Sequence, residues 1–327
     1  MKITIAGGGS WGTALAGPAA AKGFSVTLLV RDPALARAVN ERHENPRYFP
    51  GLPLDRRLSA SVSPADALAG ADILVTAVPC QTVRSFLESI APFVPEDAVP
   101  VCVSKGIETS TLKRMSEVTA EVLPAQAGRY AVLSGPSFAA EVMREKPTAV
   151  VVGSADAAVR EYLREVFSCG FFRVYSGSDV IGIELGGAIK NVMAIAAGIC
   201  DGLDFGHNAR AALIARGLAE MIRLGEALGA RAATFMGLSG LGDLVLTCTG
   251  DLSRNRRVGL KLAAGESAAE AGSAMTAEGI KTTEAILRLA ALHAVDAPIA
   301  GAVGRILNGE LAPASARELM NRALREE

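Results

Sequence analysis

The sequence predicts an α/β protein in two parts, an N-terminal Rossmann-type doubly wound parallel sheet followed by an all-α C-terminal domain. Three observations carry that expectation. Short β-branched runs alternate with helical patterns through the first half, as βα units do. A glycine pattern, Gly7-Gly8-Gly9-Ser10-Trp11-Gly12, sits between the first run and an apolar stretch. After Asp179 the strand signals stop and long Ala/Leu/Ile helical patterns replace them.

The extended runs are residues 3–6, 26–30, 73–78, 99–103, 131–133 and 149–152, with 171–175 as a further strand at an edge. Several are apolar throughout rather than alternating, which suits strands covered on both faces. At 327 residues the chain exceeds the usual size of one hydrophobic core. The boundary falls at Asp179, giving a dinucleotide-binding domain over 1–179 and a helical substrate-binding domain over 180–327. Residues 179–199 read as an apolar helix. Between Asn208 and Leu228 the apolar positions Leu213, Ile214, Leu218, Met221, Ile222 and Leu228 alternate with Arg210, Arg216 and Arg223 as in an amphipathic helix. The Ala/Gly-rich stretch 263–274 reads as a helix end and loop.

Composition narrows the classes of function. Half the residues are hydrophobic, a fifth are charged and the net charge is -1, so nothing draws the whole chain to nucleic acid or an anionic membrane. Cys80, Cys102, Cys169, Cys200 and Cys248 are odd in number and dispersed, which argues against a disulfide framework and a zinc site. His43, His207 and His293 lack ligand spacing, so no metal is expected. The first residues run directly into glycines without a signal-peptide h-region, and the longer apolar segments are interrupted by Gly, Lys or Asp. The expectation is a cytoplasmic protein without a membrane span.

The glycine pattern fits G-x-G-x-x-G in the right setting, strand before and helix after. Gly7 permits the tight turn, Gly9 lets backbone amides approach a pyrophosphate, and Gly12 allows close packing of helix on strand. NAD or NADP (NADPH) is therefore the expected cofactor. Arg31-Asp32 follows the second strand. A carboxylate there suits the ribose of NAD and an arginine suits the extra phosphate of NADP. Arg31 comes first and favours an NADP-competent site, with Asp32 available as a helix cap before Pro33. Pro18 falls inside the first expected helix, where proline requires a kink or an ending.

Several residues further on have the chemistry of a reaction site. Lys190 and Asn191 interrupt the apolar 179–199 helix; a lysine there either snorkels to water or is held for a proton-transfer role. Lys105 follows a strand, at the sheet edge where ligands of open α/β sheets gather. Gly135-Pro136-Ser137-Phe138 opens a helical run, as an anion site or a simple N-cap. Residues 237–243 read as a flexible loop ending in Asp243. Ser253-Arg254-Asn255-Arg256-Arg257 packs three arginines into five residues, either a grip for a second anionic ligand or a solvated basic surface.

Taken in order, Gly-Gly-Gly-Ser-Trp-Gly at 7–12, Ser-Lys-Gly at 104–106, Ser-Gly-Pro-Ser-Phe-Ala at 134–139, Gly-Gly-Ala-Ile-Lys-Asn-Val at 186–192, Gly-Leu-Gly-Asp-Leu at 240–244 and Ser-Arg-Asn at 253–255 closely resemble the bacterial NAD(P)-dependent glycerol-3-phosphate dehydrogenases. The resemblance implies reversible reduction of dihydroxyacetone phosphate to sn-glycerol 3-phosphate, the entry to glycerophospholipid synthesis. It implies that Lys190 donates and accepts the proton, that Lys105 touches cofactor and substrate, and that Asp243 orients the reacting end. Gly135, Ser137, Ser253, Arg254 and Asn255 would meet the substrate. Ser10, Trp11, Arg31, Tyr48, Ala139, Arg254 and Glu278 would meet the cofactor. Where the family usually has Val-x-Glu-Gly, this chain reads Thr276-Ala277-Glu278-Gly279, so Glu278 carries over and Thr276 stays open.

Two other readings compete with that one. The first is a dehydrogenase of a carboxylated hydroxy acid, since arginine forks grip carboxylate as well as phosphate. The second is a non-catalytic NAD(P)-sensing regulator, which gives Lys190 no reason to occupy an apolar helix. The Ala/Gly-rich helices make a homodimer the expected assembly.

Overall fold

The structure, a computed structural model, describes residues 1–273 and 277–315, so Thr276 lies outside the described residues. The chain divides into two compact units, one of Met1–Lys105 with Lys113–Glu184 and one of Gly106–Leu112 with Leu185–Glu327. Nothing in the local pattern had marked Gly106–Leu112 as part of the second unit.

In the first unit eight strands form one sheet in the order β3-β2-β1-β4-β5-β6-β7-β8. They are β1 (Lys2–Ala6), β2 (Ser25–Leu29), β3 (Leu58–Ser61), β4 (Ile73–Thr76), β5 (Val99–Cys102), β6 (Ala131–Ser134), β7 (Thr148–Gly153) and β8 (Phe172–Gly177). The register is parallel from β3 through β6, while β7 pairs antiparallel with β6 and β8 runs parallel to β7. The sheet is thus mostly parallel, as the sequence predicts, with one antiparallel pairing between β6 and β7. Only the four-residue helix Ala139–Val142 forms between β6 and β7, in place of the full crossover helix of a parallel unit. The strand β3 was missed because Leu58-Ser59-Ala60-Ser61 has no β-branched residue.

Both faces of the sheet are covered, as the apolar strands required. Ile3, Ile5, Ile73, Val75, Val101 and Leu133 pack on one side with Ala14 and Leu15 of the helix Ser10–Ala21 and Leu163 and Phe167 of Ala157–Phe167. Leu29, Leu74, Cys102 and Val132 pack on the other with Val83, Leu87, Val118 and Ile183. The order reverses between β1 and β4, a topological switch point whose crevice at the strands' carboxyl ends is where such sheets take ligands. Pro18 is buried inside Ser10–Ala21, where it forgoes the bond to Ala14 O, and the helix ends within a turn of it.

The second unit is helical. Val180–Gly202 is its core helix from Leu185 onward, followed by Gly206–Ala227, Asp243–Thr249, Arg254–Ala263, Glu278–Leu292 and Pro298–Leu307. The 263–274 stretch carries an additional short helix, Ala268–Ser273, where a loop was expected. Among the described residues two stretches are long and apolar enough to cross a membrane, Val180–Gly202 and Ala232–Thr249; the first is 83% buried, as befits a core helix.

Glycines let the backbones of this unit approach closely. A Cβ on Gly198 would lie 2.0 Å from Arg256 O, and one on Gly259 2.1 Å from Ile195 O. Val180–Gly202 and Arg254–Ala263 thus run side by side in the same sense, from Asn191 beside Asn255 to Gly202 beside Ala263. Glu220 is 2% exposed, and its carboxylate accepts the amides of Ile299 and Ala300, capping the helix Pro298–Leu307 from a neighbouring helix.

Candidate functional site

The residues of the first unit are set by its glycine turn. Gly7 has φ +120°, and a Cβ there would sit 2.5 Å from Ala77 O; a Cβ on Gly12 would sit 2.0 Å from Gly7 O. Around Gly9 there is open space, so its backbone is approachable by a ligand. Gly9 is the N-cap of Ser10–Ala21 without a side-chain cap bond, leaving first-turn amides for an anion. Ser10 and Trp11 are half-buried, and the Trp11 Nε1 donor is buried without a hydrogen-bond partner among the described residues. A cradle closed to any Cβ, an open approach at Gly9 and an orphaned donor beside it fit a dinucleotide.

Asn45 was missed by sequence reading. Fully buried, it donates from Nδ2 to Gly8 O at 3.1 Å and to Thr13 Oγ1 at 2.8 Å, bracing the turn from a segment 32 residues downstream. No local pattern marks such a brace. Asp32 caps the helix Pro33–Arg37 by accepting Ala34 N at 2.8 Å, whereas Arg31 is exposed. Tyr48 is 41% exposed with the Arg47 guanidinium 5.6 Å from its ring centre.

At the strands' carboxyl ends, Lys105 Nζ donates to Gly135 O at 3.1 Å, joining two expected site residues. Gly135 has φ +134° and a Cβ there would meet Val150 Cα at 3.0 Å. Ser137 is not the cap of the following helix. Its hydroxyl donates back to Gly135 O at 2.9 Å, and Phe138 is the N-cap, with Ala139 first in the helix.

In the second unit Lys190 does not snorkel. It is 6% exposed, and its Nζ donates to Asp243 Oδ1 at 3.0 Å and to Thr247 Oγ1 at 2.7 Å. Asp243 and Thr247 are 1% and 3% exposed, and the Thr247 hydroxyl donates to Asp243 O at 2.6 Å. A buried ammonium is tolerated only with such compensation. Thr247 was missed, though its place four residues after Asp243 puts both on one helix face.

The segment before Asp243 is a helical turn, Leu238–Gly242, rather than a flexible loop. Glycines serve contact on both sides: a Cβ on Gly240 of this turn would meet Phe235 O at 2.1 Å, and one on Gly186 of the lysine helix would meet Ser239 O at 2.6 Å. Close packing thus fixes Asp243 against the Lys190 helix.

Ser253 caps Arg254–Ala263 by accepting Arg256 N at 3.2 Å. Asn255 is buried, donates from Nδ2 to Asn191 Oδ1 at 2.8 Å, and accepts Gly279 N at 3.0 Å. Through that bond the Ser-Arg-Asn turn is joined to the start of Glu278–Leu292, where Glu278 lies. Arg254 and Arg257 are exposed, and Arg256 is engaged in ion pairs. Among the described residues no group of three or more His, Cys, Asp or Glu could hold a metal ion.

A Rossmann-type unit followed by a helical unit with a buried, carboxylate-held lysine defines a dinucleotide-dependent oxidoreductase in class. Family models described as NAD-dependent glycerol-3-phosphate dehydrogenase N-terminus and C-terminus match residues 2–160 and 179–318, and the chain belongs to that family. It is 58% identical over 330 residues, covering all of both chains, to the glycerol-3-phosphate dehydrogenase (NAD(P)+) of Oleidesulfovibrio alaskensis. It is 52% identical to that of Geobacter metallireducens, over 94% of this chain and 92% of the relative. The crystal structure of glycerol-3-phosphate dehydrogenase from Coxiella burnetii matches with a TM-score of 0.91 at 40% identity, covering 98% of this chain and 99% of that one.

Proposed function

We propose that this chain catalyses the reversible NAD(P)H-dependent reduction of dihydroxyacetone phosphate to sn-glycerol 3-phosphate. The observation that carries the reading is the Lys190 ammonium, buried in an apolar helix and held by Asp243 and Thr247. Such a group is a positioned proton donor. Bound nicotinamide supplies the hydride that reduces the carbonyl carbon. Lys190 Nζ gives the carbonyl oxygen its proton and takes it back in the reverse direction, while Asp243 and Thr247 fix the line along which Nζ points.

Around that step the other side chains bind and orient. The amides after Gly9 take the pyrophosphate, Ser10, Trp11, Tyr48, Ala139 and Glu278 line the nucleotide, and exposed Arg31 meets the 2′-phosphate of NADP. Capping by Asp32 supports that reading, since its carboxylate is engaged with Ala34 N. Lys105, Gly135 and Ser137 meet the substrate. Ser253, Arg254 and Asn255 grip its phosphate, and that binding energy orients a small ketone for reaction.

The product would feed glycerophospholipid synthesis, in the cytoplasm. A homodimer is the assembly proposed; Met236, Val245 and Leu252 of the helical unit, 58%, 41% and 48% exposed, support it. The test follows absorbance of NADPH, then NADH, with dihydroxyacetone phosphate beside unphosphorylated dihydroxyacetone. Rapid oxidation with the phosphate ester alone is expected. Equal rates with both would remove the role given to Arg254.

A further inference from the structure

The three arginines of the Ser253 to Arg257 turn differ in what they are free to do. Arg254 and Arg257 are exposed. Arg256 has every guanidinium nitrogen engaged: Nε and Nη2 reach Asp201 Oδ2 at 2.8 and 2.7 Å, and Nη1 reaches Asp251 Oδ1 at 3.0 Å. The Arg256 and Asp201 side chains are only 12% and 13% exposed, and Arg210 closes on the other Asp201 oxygen at 3.0 Å. An arginine so bound cannot turn to a substrate without breaking three charge-assisted bonds and leaving the largely buried Asp201 to Arg210 alone.

The same residue is fixed through its backbone. Its amide is taken by the Ser253 hydroxyl, and its carbonyl lies against Gly198, where a Cβ would come within 2.0 Å. Gly198 and Asp201 belong to the helix Val180–Gly202 that carries Lys190. Asp201 stands three helical turns beyond Lys190 on nearly the same face, at about 100° per residue. Side chain and backbone of Arg256 therefore register the preceding turn, with Ser253, Arg254 and Asn255, along the lysine helix. A ketone and a phosphate in one small molecule require that spacing to be set, and a misplacement of about 1 Å costs about 100-fold in rate.

We infer that Asp201 and Arg256 are positioning residues for the phosphate grip, and that Arg256 is not itself a phosphate ligand. This rests on the reading of Ser253, Arg254 and Asn255 as that grip. The sign of one substitution separates the inference from plain electrostatics. Removing the charge of Asp201 takes an anion away from an anion site, which by Coulomb's law alone would tighten phosphate binding. If Asp201 acts by holding Arg256, its loss weakens phosphate binding instead.

The experiment measures inhibition by inorganic phosphate, kcat/KM for dihydroxyacetone phosphate and the nucleotide Kd in the full-length parent, Asp201→Asn and Arg256→Lys, which keeps a cation but not the fork. In both variants the phosphate inhibition constant is expected to rise, and kcat/KM to fall, by roughly ten- to a hundredfold, with nucleotide Kd changing far less, since Arg254 and Glu278 are only two of the residues that meet the cofactor. Phosphate inhibition of Asp201→Asn equal to or stronger than the parent's would overturn the inference, as would an equal weakening of nucleotide and phosphate. If Asp201→Asn does not fold, Arg256→Lys decides: an unchanged phosphate inhibition constant overturns it. A parent with no turnover of dihydroxyacetone phosphate would instead overturn the proposed function.

Discussion

Lys190 Nζ stands 3.0 Å from Asp243 Oδ1, with the two side chains 8% and 2% exposed. In a pair this enclosed, each charge is tolerated because the other is present. The catalytic and the structural consequences of touching it are therefore linked, and a test has to separate them.

Replacing Lys190 with Met removes the proton donor and strands a buried carboxylate. Activity should fall by about 100- to 10,000-fold, and stability by ~3–5 kcal/mol. In the double variant Lys190→Met/Asp243→Asn much of the stability should return while activity stays lost. Melting curves beside NADPH oxidation check both halves, and recovery of turnover in the double variant would count against Lys190 as donor.

Thr247→Val keeps shape but removes the hydroxyl that accepts from Lys190. A drop of about tenfold in kcat/KM is expected, equivalent to roughly 1.4 kcal/mol, with Thr247→Ser restoring most of it. If valine and serine behave alike in steady-state kinetics, the hydroxyl has no part in orienting Nζ.

Gly259→Ala places a Cβ 2.1 Å from Ile195 O, so the Arg254–Ala263 helix must move off the lysine helix. A loss of about 1–3 kcal/mol is expected from overpacking. Gly301→Ala, inside Pro298–Leu307 with nothing near its Cβ, is the control and should hold or raise the denaturation midpoint, since alanine favours a helix over glycine by about 1 kcal/mol.

Burial raises the Glu184 carboxyl above its ordinary value, against the lowering effect of Arg114, Ser116 and Tyr130 around it. The folded state therefore holds its proton to higher pH than the unfolded chain does. That contribution to stability is present below the unfolded pKa and is lost as pH rises through the folded one. The melting temperature of the parent relative to Glu184→Gln should fall as pH rises from 4 upward, and a difference that is flat or rises with pH would contradict the assignment.

Burial likewise pushes the thiols of Cys102 and Cys248 up to about 12, whereas Cys169 is partly exposed. Reaction of the folded protein with iodoacetamide at pH 8, read by mass spectrometry, should label Cys169 and leave the other two intact, because the thiolate is the nucleophile. Labelling of Cys248 at the same rate as Cys169 would show that its surroundings open.

What the sequence by itself determined is what local pattern encodes. Uniformly apolar β-branched runs specified strands covered on both faces, and Gly7, Gly9 and Gly12 specified a turn with their spacing. Lys190 stood out as one ammonium in an apolar helix. Tertiary structure decided which groups meet. The partners of Lys190 lie 53 and 57 positions away, Asn45 braces a turn 32 residues upstream of it, and Asp201 takes its arginine across 55 residues. No periodicity of 2 or 3.6 reaches over such separations. The reversal of β7 and the helical turn before Asp243 escaped for the same reason, since both depend on which backbone packs against which, and glycine permits that contact without naming its partner.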